Sequence, residues 1–157
     1  MCGLSLAEEL GALQRGTIVA AVGGGGKTSL CFAIARECGA QGVKALVTTT
    51  TKMMEPRTPQ DCDVCLVVDS LESAVRQVAE AFANSAAQTV VLGGGYAAAH
   101  GAAAAGGGGA GGRRRLDGVP PEWPQQLIEA GACDVVVVEA DGARKLPFKA
   151  PGENEPV

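Results

Sequence analysis

The sequence predicts an α/β fold: a three-layer sandwich in which helices cover both faces of a mostly parallel sheet. Short apolar, partly β-branched runs alternate with segments of helical periodicity along most of the chain. This alternation is typical of parallel sheets with crossover helices. The apolar runs end at glycines or polar residues, as buried strands do. A length of 157 residues fits a single domain, which we expect to span residues 1–157.

Five strands and four helices follow from these patterns. The strands are expected at 17–22, 43–48, 64–68, 89–92 and 134–139. The helices are expected near 4–13 and at 28–38, 71–82 and 122–130, the third with a clear apolar face. The tract 97–112, almost entirely Ala and Gly, cannot bury enough side chain to offset its ordering entropy. We therefore predict a flexible surface insertion there, with His100 in solvent.

Composition and charge exclude several classes of protein. The formal net charge of −4 argues against nucleic-acid binding. No apolar run reaches the length of a membrane-spanning helix, and the N-terminus lacks the basic start and apolar core of a signal peptide. We therefore expect a cytoplasmic protein with no membrane partner and with free thiols. Cys62 and Cys65 have CxxC spacing without a visible second pair of metal ligands, so we interpret them as apolar strand residues, with metal or redox use as the alternative.

A glycine-rich loop between the first strand and the first long helix carries the strongest functional signal. Its sequence is Val22-Gly23-Gly24-Gly25-Gly26-Lys27-Thr28, with Ala21 where the usual pattern has glycine. Its N–H groups can form an anion nest at the positive end of the helix. Lys27 can reach the β and γ phosphates, and the Thr28 hydroxyl can hold Mg²⁺. We predict binding of ATP or GTP; the alternative is a glycine-rich turn with a solvent-facing lysine. The predicted nucleotide-binding residues are Gly23, Gly24, Gly25, Gly26, Lys27, Thr28 and Ser29.

Two further polar segments follow predicted strands, and the carboxyl ends of parallel strands meet at one crevice. Glu139 and Asp141 lie at the end of the most apolar strand, where a carboxylate can coordinate Mg²⁺. The segment Thr48 to Lys52 offers hydroxyls and a lysine that can neutralise charge on a transferred group. The alternatives are solvated acidic residues and threonines that merely favour a strand. The predicted metal ligands are Thr28, Glu139 and Asp141, and the predicted catalytic residues are Lys27, Lys52 and Asp141.

The chain resembles the YqeC family, described as accessory proteins of selenium-dependent molybdenum hydroxylases and as selenium cofactor biosynthesis proteins. The resemblance rests on four ordered motifs at residues 22–28, 47–53, 138–143 and 149–157, and on a similar segment at 115–120. It implies a P-loop NTPase-like fold and a role in maturing or loading a molybdenum or selenium cofactor. Family members usually continue beyond the last motif, so we expect the domain to be incomplete at its C-terminus.

Three functions remain open from the sequence. The first is a Mg²⁺- and ATP- or GTP-dependent enzyme that hydrolyses nucleotide or transfers a phosphoryl or nucleotidyl group to a cofactor precursor or selenium species. In this enzyme, Thr50, Thr51, Lys52 and Lys149 lie on the side of the second substrate. The second is a nucleotide-gated delivery factor that binds a client molybdenum hydroxylase and uses hydrolysis only as a switch. The third is an inactive fragment. An enzyme should turn over with small molecules alone, whereas a switch should need its client.

Overall fold

Eight strands and four helices make up the described part of the chain. In this computed structural model the described residues are 5–84, 87–97 and 114–140. The strands are β1 (Thr17–Ala21), β2 (Ala45–Thr49), β3 (Lys52–Met54), β4 (Val64–Val67), β5 (Thr89–Gly93), β6 (Gly95–Tyr96), β7 (Arg115–Asp117) and β8 (Val135–Glu139). The helices are α1 (Leu6–Glu9), α2 (Lys27–Ala40), α3 (Leu71–Asn84) and α4 (Trp123–Glu129).

Five of the strands form a parallel sheet in the order β1-β8-β2-β5-β4. The last strand of the described chain therefore lies between the first two strands of the sequence. Its final residue, Glu139, is in register with Ala21 of β1 on one side and with Thr49 of β2 on the other. Three loops that follow strands thus leave the sheet at the same level, as the sequence predicts for a crevice at the carboxyl ends.

Buried apolar side chains alternate between the two faces of this sheet, as the two-residue period of a strand requires. In β8, Val135 and Val137 pack in the cluster that includes α1 and α2, whereas Val136 and Val138 pack with α3 and α4. Every residue of β2, β5 and β8 is buried, which is typical of strands covered on both faces. The prediction of an α/β three-layer arrangement with a mostly parallel sheet is confirmed.

The helices form where the sequence patterns place them. In α3, Ala74, Val78 and Phe82 are buried at a spacing of four residues, which puts them on one face of the helix. The single turn α1 is fixed at its start by a capping box: the Ser5 hydroxyl accepts from the Glu8 N–H, and the Glu8 carboxylate accepts from the Ser5 N–H. Within the described ranges, none of the helices is long and apolar enough to span a membrane.

A second, smaller sheet was not predicted from the sequence. Its antiparallel strands are ordered β3-β7-β6, and β3 lies between the predicted strands 43–48 and 64–68, where we expected no further strand. Met53 and Leu116 lie opposite each other and join the buried cluster on the α2 face. This sheet therefore extends the core above the carboxyl ends of the parallel strands.

Some sequence predictions fall outside the described residues. The predicted insertion 97–112 lies outside them except for Ala97. The Ala97 N–H donates to the Arg115 carbonyl oxygen at 2.9 Å. Asp141 and Lys149 also lie outside the described residues, as does His100. The single-domain boundary at 1–157 and the P-loop NTPase-like assignment stay predictions.

Candidate phosphate and metal site

The glycine-rich loop joins β1 to α2 in a backbone conformation that depends on glycine. Gly23 has φ 99° and Gly26 has φ 93°, values in the left-handed region where a Cβ is costly. Gly26 is also the N-terminal cap of α2 and, having no side chain, caps none of the first N–H groups of the helix. The helix brings roughly half a positive charge to this end.

Lys27 is folded back over the loop and buried. Its ammonium donates to the Gly23 carbonyl oxygen at 2.7 Å, and its side chain is among the few charged ones in the buried set of the described residues. The alternative of a solvent-facing lysine is therefore wrong for this structure. The position places one positive charge across the glycine-rich loop.

Thr28 and Glu139 meet directly at the mouth of the sheet. The Thr28 hydroxyl donates to Glu139 Oε2 at 2.6 Å across a separation of 111 residues in sequence. Glu139 is buried at 8% exposure, so it is not a solvated strand-end carboxylate. Of the three predicted metal ligands, the structure brings Thr28 and Glu139 together, and the third, Asp141, is outside the described residues.

The threonine segment is tied to the end of β8. The Thr49 hydroxyl donates to the Glu139 carbonyl oxygen at 2.9 Å, and the Thr50 N–H approaches the same oxygen at 3.2 Å. The Thr49 and Thr51 hydroxyls lie 3.3 Å apart. By contrast, the Thr48 hydroxyl donates to the Leu92 carbonyl oxygen inside the sheet. Thr49 to Thr51 therefore border Glu139, whereas Thr48 serves the sheet.

Lys52 belongs to the small antiparallel sheet and not to the parallel sheet that carries the glycine-rich loop. It opens β3, and its ammonium is 3.7 Å from Asp117 Oδ1 in a half-exposed ion pair. The predicted nucleotide residue Ser29 is exposed in the first turn of α2. The described part of the predicted site thus runs from Gly23 to Lys52, and Glu139 contacts both Thr28 and Thr49 within it.

Gly118 is a positioning residue that sequence reasoning missed. A Cβ on it would meet the Thr50 carbonyl carbon and lie 2.6 Å from the Thr51 nitrogen. The next residue, Val119, donates its N–H to the Thr49 carbonyl oxygen at 2.8 Å. The absence of a side chain at residue 118 therefore allows this segment to lie against the threonines. The motif 115–120 includes this glycine, but the sequence does not show that it contacts Thr50 and Thr51, which are distant along the chain.

Cys31 lies under the site, one helical turn after Lys27. Burial, and after it the nearby charge of Glu139, raises the pKa of the Cys31 thiol to about 11. The thiol is therefore neutral at physiological pH and behaves as a small apolar residue. It supports the floor of the site without offering a nucleophile.

These features define an α/β protein whose glycine-rich strand–helix loop meets a buried carboxylate at the carboxyl end of a neighbouring parallel strand. A family model described as YqeC protein matches residues 19–157. The chain belongs to the YqeC family. It is 34% identical over 152 residues to a protein of Escherichia coli strain K12 named uncharacterized protein YqeC, and the alignment covers 97% of this chain and 51% of that protein. The chain thus spans about half the length of this relative. No solved structure matches it significantly.

Proposed function

We propose that this chain binds Mg²⁺ with ATP or GTP at the loop from Gly23 to Ser29. The observation that carries the proposal is the 2.6 Å contact of Thr28 Oγ1 with Glu139 Oε2, because it joins the start of a helix to a buried carboxylate. A triphosphate needs both a cradle of N–H donors and a cation at its β and γ oxygens. The glycine conformations at 23 and 26 and the start of α2 supply the cradle.

The oxygen atoms at this contact suit Mg²⁺. This ion prefers hard oxygen ligands and is usually held by one or two carboxylates together with waters and substrate phosphates. Glu139 and Thr28 offer a carboxylate and a hydroxyl within one coordination shell. In the described ranges there is no group of three or more His, Cys, Asp or Glu side chains arranged for a metal. The phosphates would therefore complete the set, with Asp141 as a further predicted ligand.

Lys27 would stabilise the charge of the terminal phosphates. In the present structure its ammonium is held by the Gly23 carbonyl, so a γ-phosphate would exchange that neutral acceptor for an anionic one. A hydrogen bond to an ionised partner is about twice as strong as one between neutral groups. The lysine would thus exchange its contact with the Gly23 carbonyl oxygen for a contact with phosphate.

The reaction that we propose is nucleotide hydrolysis or phosphoryl or nucleotidyl transfer during maturation of a molybdenum or selenium cofactor of selenium-dependent hydroxylases. The pathway comes from the resemblance to the YqeC family and the reaction class from the loop chemistry. Thr50, Thr51 and Lys52 border Glu139 or follow it along the site surface, which favours a second substrate on this side. Lys149 is a further predicted residue for the same substrate.

Calorimetric titration with Mg·ATP and Mg·GTP tests the nucleotide site. Lys27→Ala should abolish measurable affinity, because it removes the positive charge proposed to contact the β and γ phosphates. Lys44→Ala is the matched control: it also removes one positive charge, but from an exposed side chain next to the opposite end of β2. Unchanged affinity in Lys27→Ala would contradict the proposal, and so would equal losses in the two variants.

Nucleotide turnover, followed as the nucleoside diphosphate from hydrolysis or phosphoryl transfer and as pyrophosphate from nucleotidyl transfer, distinguishes an enzyme from a nucleotide-gated delivery factor. The enzyme should hydrolyse or transfer with small molecules alone, and Glu139→Gln should lower that rate because it weakens the proposed Mg²⁺ site. Turnover that occurs only after a client hydroxylase is added would instead support the delivery factor. Nucleotide binding by itself should raise the melting temperature, since the ligand binds the folded state.

A further inference from the structure

Strand β1 lies at an edge of the parallel sheet and carries none of the usual protection of an edge strand. In the described sheet its neighbour is β8 alone. The Ala21 carbonyl oxygen accepts from the Ala140 N–H on that side. Because peptide groups alternate along a strand, those of Ile18 and Ala20 face away from β8. Residues 17–22 contain no charge and no proline, and the pairing with β8 is continuous. Soluble proteins usually guard an edge by charge, proline or a bulge, or they cover it.

One face of β1 is also bare. Ile18 and Ala20 are in register with Val136 and Val138 of β8, and residues in register on neighbouring strands point to the same face of a sheet. Val136 and Val138 are buried in the cluster that contains α3 and α4. By contrast, Ala20 is exposed, Ile18 is 38% exposed, and Val22, the next residue in this alternation, is 68% exposed. The cover that α3 and α4 give to the sheet therefore stops before β1.

The opposite face of β1 and the opposite edge of the sheet are both covered. Val19 and Ala21 pack in the cluster that contains α2. At the other edge, β4 packs against the core on both faces: Val64 and Leu66 lie on the α3 side, and the other two residues of the strand lie on the α2 side. The uncovered surface of the sheet at β1 is thus its outer edge together with its α3–α4 face.

The connections of the sheet determine on which face a further strand would bring its helix. β1 leads through α2 to β2, towards the β4 edge, and α2 lies on one face. β4 leads through α3 to β5, and β5 leads through α4 to β8. Both of these connections run towards the β1 edge, and both helices lie on the other face. The three connections therefore have the same hand, as parallel crossovers do. A connection from β8 to a strand outside β1 would also run towards the β1 edge, so its helix would lie on the face where β1 is bare.

The number of residues needed favours an occupant from a longer polypeptide. A strand–helix–strand unit takes about 30 residues. β8 supplies five of them, and the 18 residues 140–157 that follow it in the sequence do not complete the unit. The Escherichia coli relative is about twice as long, since the alignment covers 51% of it. A second copy of this chain paired through β1 would satisfy the outward peptide groups, but strand pairing would not by itself cover the bare face.

We propose that polypeptide beyond residue 157 completes this sheet, with a helix over Ile18, Ala20 and Val22 and a parallel strand along the outer edge of β1. β1 would then be an inner strand, as β8 is. Because the glycine-rich loop follows β1 directly, the added strand would also hold the start of that loop from its second side. The proposal is independent of nucleotide binding, since it rests on the packing and the connections of the sheet.

Hydrogen exchange of this chain and of the intact Escherichia coli relative tests the proposal. In this chain, the amides of Ile18 and Ala20 should exchange rapidly, whereas the amide of Val19, which faces β8, should be protected. In the relative, the segment aligned with Thr17–Ala21 should be protected as strongly as the segment aligned with β8, because both would be inner strands. The segment aligned with β4 is the control, since it should remain less protected than β8 in both proteins.

Photocrosslinking identifies what covers the strand. A benzophenone amino acid at the position of the relative aligned with Ile18 should crosslink to the part of the same polypeptide that has no counterpart in this chain. Crosslinks to a second copy would overturn the proposal, and so would rapid exchange of the β1-aligned segment in the relative. Protection of Ile18 and Ala20 in this chain would also overturn it. Analytical ultracentrifugation would then assign the cover, to a second copy if the chain is a dimer and to the chain's own residues if it is a monomer.

Discussion

Single residues decide how closely the segments of this site approach one another. Gly118 is the clearest case, because a Cβ there would meet backbone atoms of Thr50 and Thr51, and backbone cannot move aside as a flexible side chain can. Gly23 and Gly26 act differently: open space surrounds the position of an added Cβ, but their φ values are positive. Gly118 thus permits close contact between two segments that connect strands, whereas Gly23 and Gly26 permit the loop conformation.

Gly118→Ala should destabilise the fold and displace the threonines that border Glu139. We expect a loss of about 1–3 kcal/mol in the free energy of unfolding, as for other overpacked sites. The measurement is urea unfolding of the variant. Gly95→Ala is the matched control, because no atom lies within 4 Å of the added Cβ and its φ is not positive. Equal unfolding midpoints for the two variants would show that residue 118 tolerates a side chain.

Cysteine side chains in the core should resist alkylation in the native protein. Burial raises the pKa of Cys31 and Cys65 to about 11, and that of Cys62 and Cys133 to about 12. Only the thiolate reacts readily, so iodoacetamide at about pH 7.5 should modify these residues slowly until urea unfolds the chain. Peptide mass spectrometry gives the extent at each site. Rapid native labelling of Cys62 or Cys65 would contradict their interpretation as apolar strand residues.

At the scale of elements, the small antiparallel sheet is held at its rim by an exposed polar cluster. The Arg114 guanidinium lies 3.6 Å from the centroid of the Tyr96 ring and donates to the Glu55 carboxylate at 2.9 and 3.1 Å. The Tyr96 hydroxyl donates to the same carboxylate at 2.8 Å. The cluster therefore joins the residue after β3, the last residue of β6 and the residue before β7.

This cluster should give the protein a pH dependence at the acid end. The hydrogen bonds from Arg114, with a smaller contribution from Tyr96, hold the pKa of the Glu55 carboxyl below its usual range. Its contribution to stability is complete above the pKa of the unfolded chain and is lost as the pH falls through the lowered folded pKa. Urea midpoints of wild type and Glu55→Gln should therefore differ near neutral pH and converge in acid. Glu80→Gln, an exposed glutamate on α3, should show no such convergence; a constant difference for Glu55→Gln would contradict the prediction.

The elements that the sequence predicted correctly are those with long local patterns. The apolar run of β8 and the four-residue spacing in α3 can each be recognised within a short stretch of sequence, because burial on one or both faces imposes them directly. β3 and β7 have three residues each and β6 has two, which is too short for a period to be recognised. Thr28 and Glu139 were predicted as ligands from separate loops. Their contact, the pairing of Lys52 with Asp117 and the role of Gly118 depend on tertiary packing.

At the scale of the whole molecule, the order of strands predicts an uneven distribution of stability. The three middle strands, β8, β2 and β5, are buried along their full length, whereas β1 and β4 lie at the edges and keep partly exposed residues. Amides of the middle strands should therefore exchange with deuterium only through near-global unfolding, and those at the edges through smaller openings. Hydrogen exchange measured by NMR checks this order. Protection of β1 and β4 equal to that of the middle strands would contradict it.

The position of β8 between β1 and β2 also has a consequence for synthesis of the chain. In the described sheet β1 pairs only with β8, and Thr28 is 111 residues away from its partner Glu139. The glycine-rich loop therefore leaves the ribosome long before the strand that supports it. Contacts of such separation form late, because the closure of a long loop must precede them. A nascent chain carries the loop without its carboxylate, and the two meet only after almost all of the described chain has been translated.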